Sequence, residues 1–274
     1  MLGRVALSRK LPPPEVLSGW ESAQWVYDSV DGDLRQEAAA AVAELPVDWA
    51  LVPVEGRRKK LLVADMDSTI INVECLDELA DYAGIKDEIA AITERAMRGE
   101  LEFEPALRER VAKLKGLSVA MLQRAYDERV RLNPGAATMV KTMAAHGARC
   151  VLVSGGFTFF TRRVAALAGF HDDRANVLLD DGAALLGQVQ EPILGRAAKL
   201  EALQAEAAAL GATGADAMAI GDGANDLAMI KAAGLGVAYR AKPLVAAEAG
   251  ARIDHTSLEA ALFFQGYRRG EFVQ

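Results

Sequence analysis

Residues 61–70 read LLVADMDSTI, an apolar run that stops at two closely spaced aspartates. Four small or branched apolar residues in a row, Leu61 to Ala64, are typical of a buried strand in a parallel sheet. Asp65 and Asp67 follow at once, and side chains two positions apart on an extended chain point roughly the same way. Like charges at close range repel, so this pair needs a cation or a protonated member. Function in open α/β folds lies at the carboxyl ends of strands, which makes the aspartates the candidate chemical centre.

Further apolar runs alternate with helical patterns along the rest of the chain. This alternation predicts an α/β fold with a doubly wound parallel sheet. Asp180-Asp181-Gly182, between two short apolar runs, predicts a β-hairpin. The other predicted strands are Cys150–Val153, Ala217–Ile220, Leu235–Tyr239 and Ala251–Asp254, and the main predicted helices of this part begin at Ala136, Phe157, Ala197, Leu227 and Pro243.

The chain divides into three predicted parts. Residues 77–132 form a helical block inserted after the first core strand, a position suited to a cap that closes over a site. Residues 58–76 and 133–274 form the catalytic core. Residues 1–57 hold all three tryptophans and five of the nine prolines, and predict a small N-terminal α/β module with a helix from Leu34 to Leu45 and a strand from Trp49 to Val54.

Chain length, net charge, the longest apolar runs and the cysteine spacing narrow the class of protein. The chain has 274 residues and a net charge of −7, which argues against nucleic acid and anionic membrane surfaces as main partners. No apolar run approaches the roughly 20 residues that span a bilayer, and no signal-peptide core is present, so we expect a cytoplasmic protein. Cys75 and Cys150 have no CxxC partner, so neither a zinc site nor a structural disulfide is expected.

Three predicted strands end in polar side chains, and a helix adds a lysine. The strand ends carry Asp65 and Asp67, Ser154-Gly155-Gly156, and the stretch Asp222–Asp226, while Lys199 lies on the helix. These groups suit phosphoryl transfer through an aspartyl phosphate. Asp65 is the candidate nucleophile. Asp67 is the candidate general acid for the leaving alcohol and then the general base for water.

The remaining groups fit the same chemistry. Ser154 and the N–H groups of Gly155 and Gly156 can cradle phosphate oxygens, and Lys199 offsets negative charge beside Asp65. Asp222 adds a hard oxygen ligand to Asp65 and Asp67, so the expected metal is Mg²⁺. Each piece alone has an ordinary alternative: a surface turn, a plain glycine turn, a solvated lysine or a glycine-rich loop. A nucleotide site is not indicated, because no GxGxxG or GxxxxGK[ST] follows a strand.

At this point the chain resembles the haloacid dehalogenase superfamily of aspartate-nucleophile phosphatases, over about residues 60 to 270. DMDST at 65–69 is similar to its DxDx[TV] motif, and Ser154, Lys199 and GDGAND at 221–226 are similar to the other three. The resemblance implies a Rossmann-like core. It also implies that Asn225 helps to orient phosphate and that Asp226 supports the metal shell and Lys199. Asp226 has an alternative role as a helix cap.

Within the superfamily, DMDSTIINVECLDELA (65–80) and LEFEPALRERVAKLKGL (101–117) resemble the phosphoserine phosphatase family. That resemblance implies that Glu74 meets a substrate ammonium, that Arg110 grips a carboxylate and that Phe103 excludes water. Ordinary alternatives are a glutamate at a helix N-terminus for Glu74 and an exposed helix arginine for Arg110. Implied with it are O-phospho-L-serine as the small-molecule substrate, the last step of serine biosynthesis, and homodimer formation through a truncated ACT-like N-terminal module.

Two other functions stay open from the sequence. One is a phosphatase or phosphotransferase of the same fold that acts on another small amino acid phosphate. The other is a non-catalytic scaffold that binds phosphate, which would be expected to lack a motif residue, whereas all of them are present here.

Overall fold

The computed structural model describes residues 13–28, 33–97 and 100–274. Parts of the predicted N-terminal module, residues 1–12 and 29–32, therefore lie outside the described residues. The strands are β1 (Glu15–Ser18), β2 (Ser22–Gln24), β3 (Leu61–Ala64), β4 (Arg149–Phe157), β5 (Asp172–Asn176), β6 (Leu178–Asp180), β7 (Leu185–Val189), β8 (Ala217–Gly221), β9 (Leu235–Tyr239) and β10 (Ala251–Ile253). The α-helices are α1 (Leu34–Val42), α2 (Cys75–Tyr82), α3 (Lys86–Met97), α4 (Phe103–Lys113), α5 (Val119–Arg129), α6 (Ala136–Ala145), α7 (Thr158–Ala168), α8 (Ala198–Ala209), α9 (Leu227–Ala232), α10 (Pro243–Glu248) and α11 (Ala260–Phe264).

Six parallel strands form the central sheet in the order β10-β9-β8-β3-β4-β5. The chain starts in the middle at β3 and winds outward in both directions, so the predicted doubly wound sheet is confirmed. β3 lies between β4 and β8, with Ala64 opposite Leu152 and Ile220. The carboxyl ends of these three strands are therefore neighbours at one edge of the sheet, where open α/β folds place their sites.

Alternate residues of β3 serve the two apolar cores. Leu62 and Ala64 belong to the core covered by α6, α7 and α11. Leu61 and Val63 belong to the core covered by α8, α9 and α10. A strand buried on both faces needs apolar side chains at every position, which explains why LLVA carries no alternation.

Two predictions differ from the structure, and one strand was not predicted. Trp49–Val54 is not a strand: it makes one antiparallel bridge, from Ala50 to Ala251, and Pro53 has no N–H to extend it. β4 continues through Gly156 to Phe157, so α7 begins one residue later than predicted, at Thr158. β5 was not predicted, because its sequence DDRAN has the polar composition of an edge strand.

The hairpin predicted around Asp180-Asp181-Gly182 forms as β6 and β7, and it binds the helical block. The turn between α4 and α5 pairs with the hairpin through main-chain hydrogen bonds of 2.9 Å, from Gly116 N–H to Leu185 O and from Leu185 N–H to Leu117 O. A third bond of 2.9 Å joins Val119 N–H to Ala183 O. The inserted helices are thus attached to the core in two ways. Their two ends continue into it, and the α4–α5 turn is hydrogen-bonded to the β6–β7 hairpin.

The segment before β3 is attached to the far edge of the sheet. The Asp48 carboxylate accepts hydrogen bonds from the N–H groups of Asp254 at 2.7 Å and Thr256 at 2.9 Å. The Arg57 guanidinium donates to Phe264 O at 2.8 Å. None of the helices in the described part of the chain combines the length and apolar character that a bilayer crossing requires.

Candidate active site

The turn that follows β3 sends the two aspartates to different partners. Asp65 N–H completes the sheet pairing by donating to Ile220 O at 3.0 Å. Residues 66–70 then wind into a wide turn in which Ser68 is left-handed, with φ 55°. The backbone is still extended at Asp65 and Asp67, and Asp67 lies close enough to raise the pKa of Asp65, but the two carboxylates bind different groups.

Lys199 bridges two buried carboxylates. Its Nζ lies 2.6 Å from Asp65 Oδ1 and also bonds Asp226 Oδ1, and the three side chains are 5%, 8% and 0% exposed. Lys199 is placed by the first turn of α8, which packs against β3. Buried charges need paired partners, and this triad supplies them. The structure thus brings together Asp65, Lys199 and Asp226, which come from three of the predicted groups.

Asp226 holds the loop after β8 in shape. Its Oδ2 accepts the N–H groups of Asp222 at 3.2 Å and Gly223 at 2.9 Å, while Oδ1 takes Lys199. A Cβ at Gly221 would overlap the Asp226 carboxyl group, so this loop requires glycine there. Both oxygens of Asp226 are therefore engaged by donors.

Three carboxylates form an acidic cluster that can hold a metal ion. Asp65, Asp222 and Asp226 offer oxygens within 4.8 Å of one another. This set differs from the predicted set of Asp65, Asp67 and Asp222, because the Asp67 side chain is held elsewhere. Hard carboxylate oxygens fit Mg²⁺ chemistry. Since both oxygens of Asp226 already accept hydrogen bonds, the free ligand oxygens belong to Asp65 and Asp222.

The Asp67 carboxylate lies between the start of α2 and the end of β4. Its Oδ1 accepts the N–H of Cys75 at 2.9 Å, and its Oδ2 accepts the Ser154 hydroxyl at 3.1 Å. The Ser154 oxygen in turn accepts the N–H of Gly156 at 2.9 Å. The predicted phosphate cradle therefore changes in one respect: the Gly156 N–H is already used by Ser154.

Burial shifts the ionisation of these acids. Burial, and next the neighbouring Glu74, raise the pKa of Asp67 to about 6, against the hydrogen bonds from Cys75 and Ser154. Burial and Asp226 likewise raise the pKa of Asp222 to about 6. A carboxyl group with a raised pKa can be protonated near neutral pH, which is what a general acid requires.

The pKa values of Lys199 and of the candidate nucleophile Asp65 are shifted by their mutual contact and by burial. Burial and then Asp226 raise the pKa of Asp65, while Lys199 counteracts them. For Lys199, burial favours the neutral form, but Asp65 and Asp226 outweigh it and raise its pKa. Lys199 therefore stays positively charged between them.

Glu74 and Thr69 make side-chain hydrogen bonds at the turn of residues 66–70. Glu74 is the exposed residue that precedes α2, and its carboxylate accepts the Ser68 hydroxyl at 2.6 Å. Thr69 is fully buried and donates to Asp222 Oδ1 at 3.1 Å. Sequence reasoning missed this contact of Thr69, and no spacing pattern marks it.

Phe103 and Arg110 both lie on α4. The Phe103 ring lies against Gly155, where an added Cβ would be 3.3 Å from its Cζ. Arg110 is half-buried, and burial lowers the pKa of its guanidinium although Asp77 and Glu74 raise it. Its one hydrogen bond among the described residues runs from Nε to Ala106 O, at 3.2 Å. The terminal nitrogens of Arg110 therefore remain open to an anion.

A small cavity is lined by some of the predicted site residues, but not by Asp65, Asp67, Glu74 or Arg110. Residues from β4, α4, α8 and the loops before α8 and after β8 line it: Phe103, Ser154, Gly155, Lys199, Asn225 and Arg196 among them. Arg196 was not singled out from the sequence, where it is one arginine in an exposed loop. The cavity brings the predicted phosphate-binding and nucleophile-supporting residues to one space.

Comparisons with known proteins agree with this geometry. The family model described as haloacid dehalogenase-like hydrolase matches residues 62–231. A phosphoserine phosphatase of Polaromonas sp. strain JS666 is 48% identical over 208 residues, covering 74% of this chain and 88% of the relative.

Solved structures show the same likeness. A haloacid dehalogenase-family hydrolase from Salmonella enterica serovar Typhi superposes with a TM-score of 0.81 at 30% identity, covering 88% of this chain and 83% of that one. A substrate-bound phosphoserine phosphatase superposes with a TM-score of 0.69 at 36% identity, covering 75% of this chain and 98% of that one.

Proposed function

The chain belongs to the haloacid dehalogenase-like hydrolase family, and we propose that it hydrolyses O-phospho-L-serine to serine and phosphate. The observation that carries the chemistry is the buried Lys199, which fixes the Asp65 carboxylate at 2.6 Å beside the acidic cluster. The relatives named above support the substrate.

In the first half of the reaction, a carboxylate oxygen of Asp65 attacks phosphorus and the bond from phosphorus to the serine oxygen breaks. Asp67, held by Cys75 and Ser154, gives its proton to the departing serine oxygen. The product of this half is serine and a phosphoryl group on Asp65.

In the second half, water attacks the phosphoryl group and the bond to Asp65 breaks, which restores the carboxylate. Asp67 now accepts the proton from that water. Lys199 stays charged throughout and offsets the negative charge that gathers around Asp65. Ser154 and Asn225, both on the cavity wall, would contact phosphate oxygens.

We propose Asp65 and Asp222 as the side chains that hold Mg²⁺, with Asp226 supporting them from behind. When bound, Mg²⁺ supplies positive charge that offsets the phosphate and the carboxylates. Asp67 is proposed as the general acid and base, and its carboxylate is held by Cys75 and Ser154.

Recognition of the amino acid part is assigned to the residues around α2 and α4. Glu74 would pair with the ammonium group in place of its present bond to Ser68. The open nitrogens of Arg110 would bind the carboxylate in a two-point contact. Phe103, packed at Gly155, would close the cavity against water. The helical block 77–132 is proposed as the cap that carries Arg110 and Phe103.

The substrate assignment is tested by comparing O-phosphoserine with O-phosphoethanolamine, which lacks the carboxylate. In Arg110→Ala, we expect kcat/KM for O-phosphoserine to fall about 100-fold, because a charge-assisted two-point contact is lost. For O-phosphoethanolamine, we expect a change within about twofold, since Arg110 has no partner there. Steady-state phosphate release measures both values.

Arg108→Ala is the matched control on the same helix, because Arg108 is exposed and paired with Glu191. Its activity on both substrates should match the parent enzyme. Equal losses on both substrates in Arg110→Ala, or a preference of the parent enzyme for sugar phosphates, would defeat the substrate assignment.

The alternative function, a phosphatase acting on another small amino acid phosphate, uses the same site and is separated by adding O-phosphothreonine to the substrates compared. The cytoplasmic location, the homodimer and the ACT-like origin of residues 1–57 stay predictions.

A further inference from the structure

Arg196 lies in the loop between β7 and α8, at the wall of the cavity that also contains Ser154 and Asn225. It is exposed, and its guanidinium has no hydrogen bond or ion pair among the residues that the structure describes. Every other cation discussed at this site is at least partly committed. Lys199 has two carboxylate partners, and Arg110 has the Ala106 carbonyl.

The loop that carries Arg196 is fastened to the phosphate side of the cavity. The buried Asn176 donates to Gly155 O at 2.9 Å and accepts the N–H of Leu194 at 2.8 Å. This side chain ties the residues just before Arg196 to the strand end that carries Ser154. The position of Arg196 beside that strand end is thus built into the fold.

The acidic side chains of the site make an unpaired cation favourable for binding phosphate. Asp65, Asp67, Asp222 and Glu74 give the proposed site four acidic side chains, and Lys199 is already paired with Asp65 and Asp226. A phosphate dianion meets a predominantly negative field. A guanidinium suits phosphate because its planar fork matches two oxygens at once.

We propose that Arg196 is a phosphate-binding residue of this site, which captures the phosphate group while Arg110 binds the carboxylate. The inference deepens the proposed function and rests on it for the natural substrate. Its test uses inorganic phosphate and needs no turnover, so the proposed function and the role of Arg196 can fail separately. If O-phosphoserine is not hydrolysed, the proposed function fails, and the binding of phosphate to Arg196 is still decided.

The test is isothermal titration of the full chain with inorganic phosphate and, separately, with L-serine, in the presence of Mg²⁺. In Arg196→Gln, we expect the Kd for phosphate to rise about tenfold, as for the loss of one charge-assisted contact. The Kd for L-serine should stay within about twofold, because serine carries no phosphate. In Arg196→Lys, which keeps the charge without the fork, the rise should be about threefold.

Arg162→Gln is the matched control, because Arg162 is an exposed arginine on α7 that does not line the cavity. It removes the same charge and should leave both Kd values unchanged. An unchanged phosphate Kd in Arg196→Gln overturns the proposal. An equal rise of the Kd values for L-serine and phosphate also overturns it, because Arg196 would then bind the carboxylate. An equal rise of the phosphate Kd in Arg162→Gln overturns it too, because the effect would then come from net charge alone.

Discussion

Asp65→Asn is expected to lower kcat for O-phosphoserine by at least about 10⁴-fold, the scale seen when a member of a catalytic unit is removed. The amide has nearly the shape of the carboxylate but is a poor nucleophile, so the first half of the reaction stops. Substrate binding should persist, because Arg110, Glu74 and Ser154 are unchanged. Phosphate release under saturating substrate measures the loss.

Asp81→Asn is the control, since Asp81 is an exposed acid paired with Arg129 on the helical block. That variant should turn over at the rate of the parent enzyme. If Asp65→Asn kept activity within tenfold of the parent enzyme, another group would have to be the nucleophile.

Lys199→Met is expected to destabilise the fold as well as the reaction. Asp65 and Asp226 would be left facing each other without their cation, and removing one partner of a buried ion pair costs about 3–5 kcal/mol. Urea unfolding measures this as a fall in the free energy of unfolding. We also expect kcat to fall about 10³-fold, because the charge on Asp65 is no longer offset.

Lys60→Met gives the comparison for stability. Lys60 pairs with Asp216 at 3.0 Å, but its side chain is 68% exposed, against 5% for Lys199. Such surface pairs contribute about 0–1 kcal/mol, so this variant should unfold close to the parent. Equal effects of the two substitutions would contradict the view that Lys199 joins buried carboxylates.

The sheet was predictable where strands are buried on both faces. LLVA, CVLV and AMAI are continuous apolar runs, as a parallel sheet covered on both faces requires. β5 could not be predicted in this way, because an edge strand of sequence DDRAN obeys no such pattern. The segment Trp49–Val54 shows the opposite error, since its apolar residues cover an edge through a single bridge instead of forming a strand.

Much of the site was predictable for a topological reason. Parallel strands bring their carboxyl ends together, so Asp65, Ser154 and Asp222 had to lie near one another once β3, β4 and β8 were neighbours. The side-chain contacts of Asp67 were not predictable. They depend on the turn at Ser68 and on donors from Cys75 and Ser154, none of which leaves a spacing pattern.

Mapping the phosphoryl group is the most direct test of the central claim, that Asp65 carries phosphate during hydrolysis. The full chain would react with O-phosphoserine labelled in its phosphate, be quenched in acid and be digested with trypsin. We predict label in the peptide of residues 61–86, on Asp65, that is released by hydroxylamine as an acyl phosphate. Label on any other residue, or turnover with no labelled Asp65, would contradict the account.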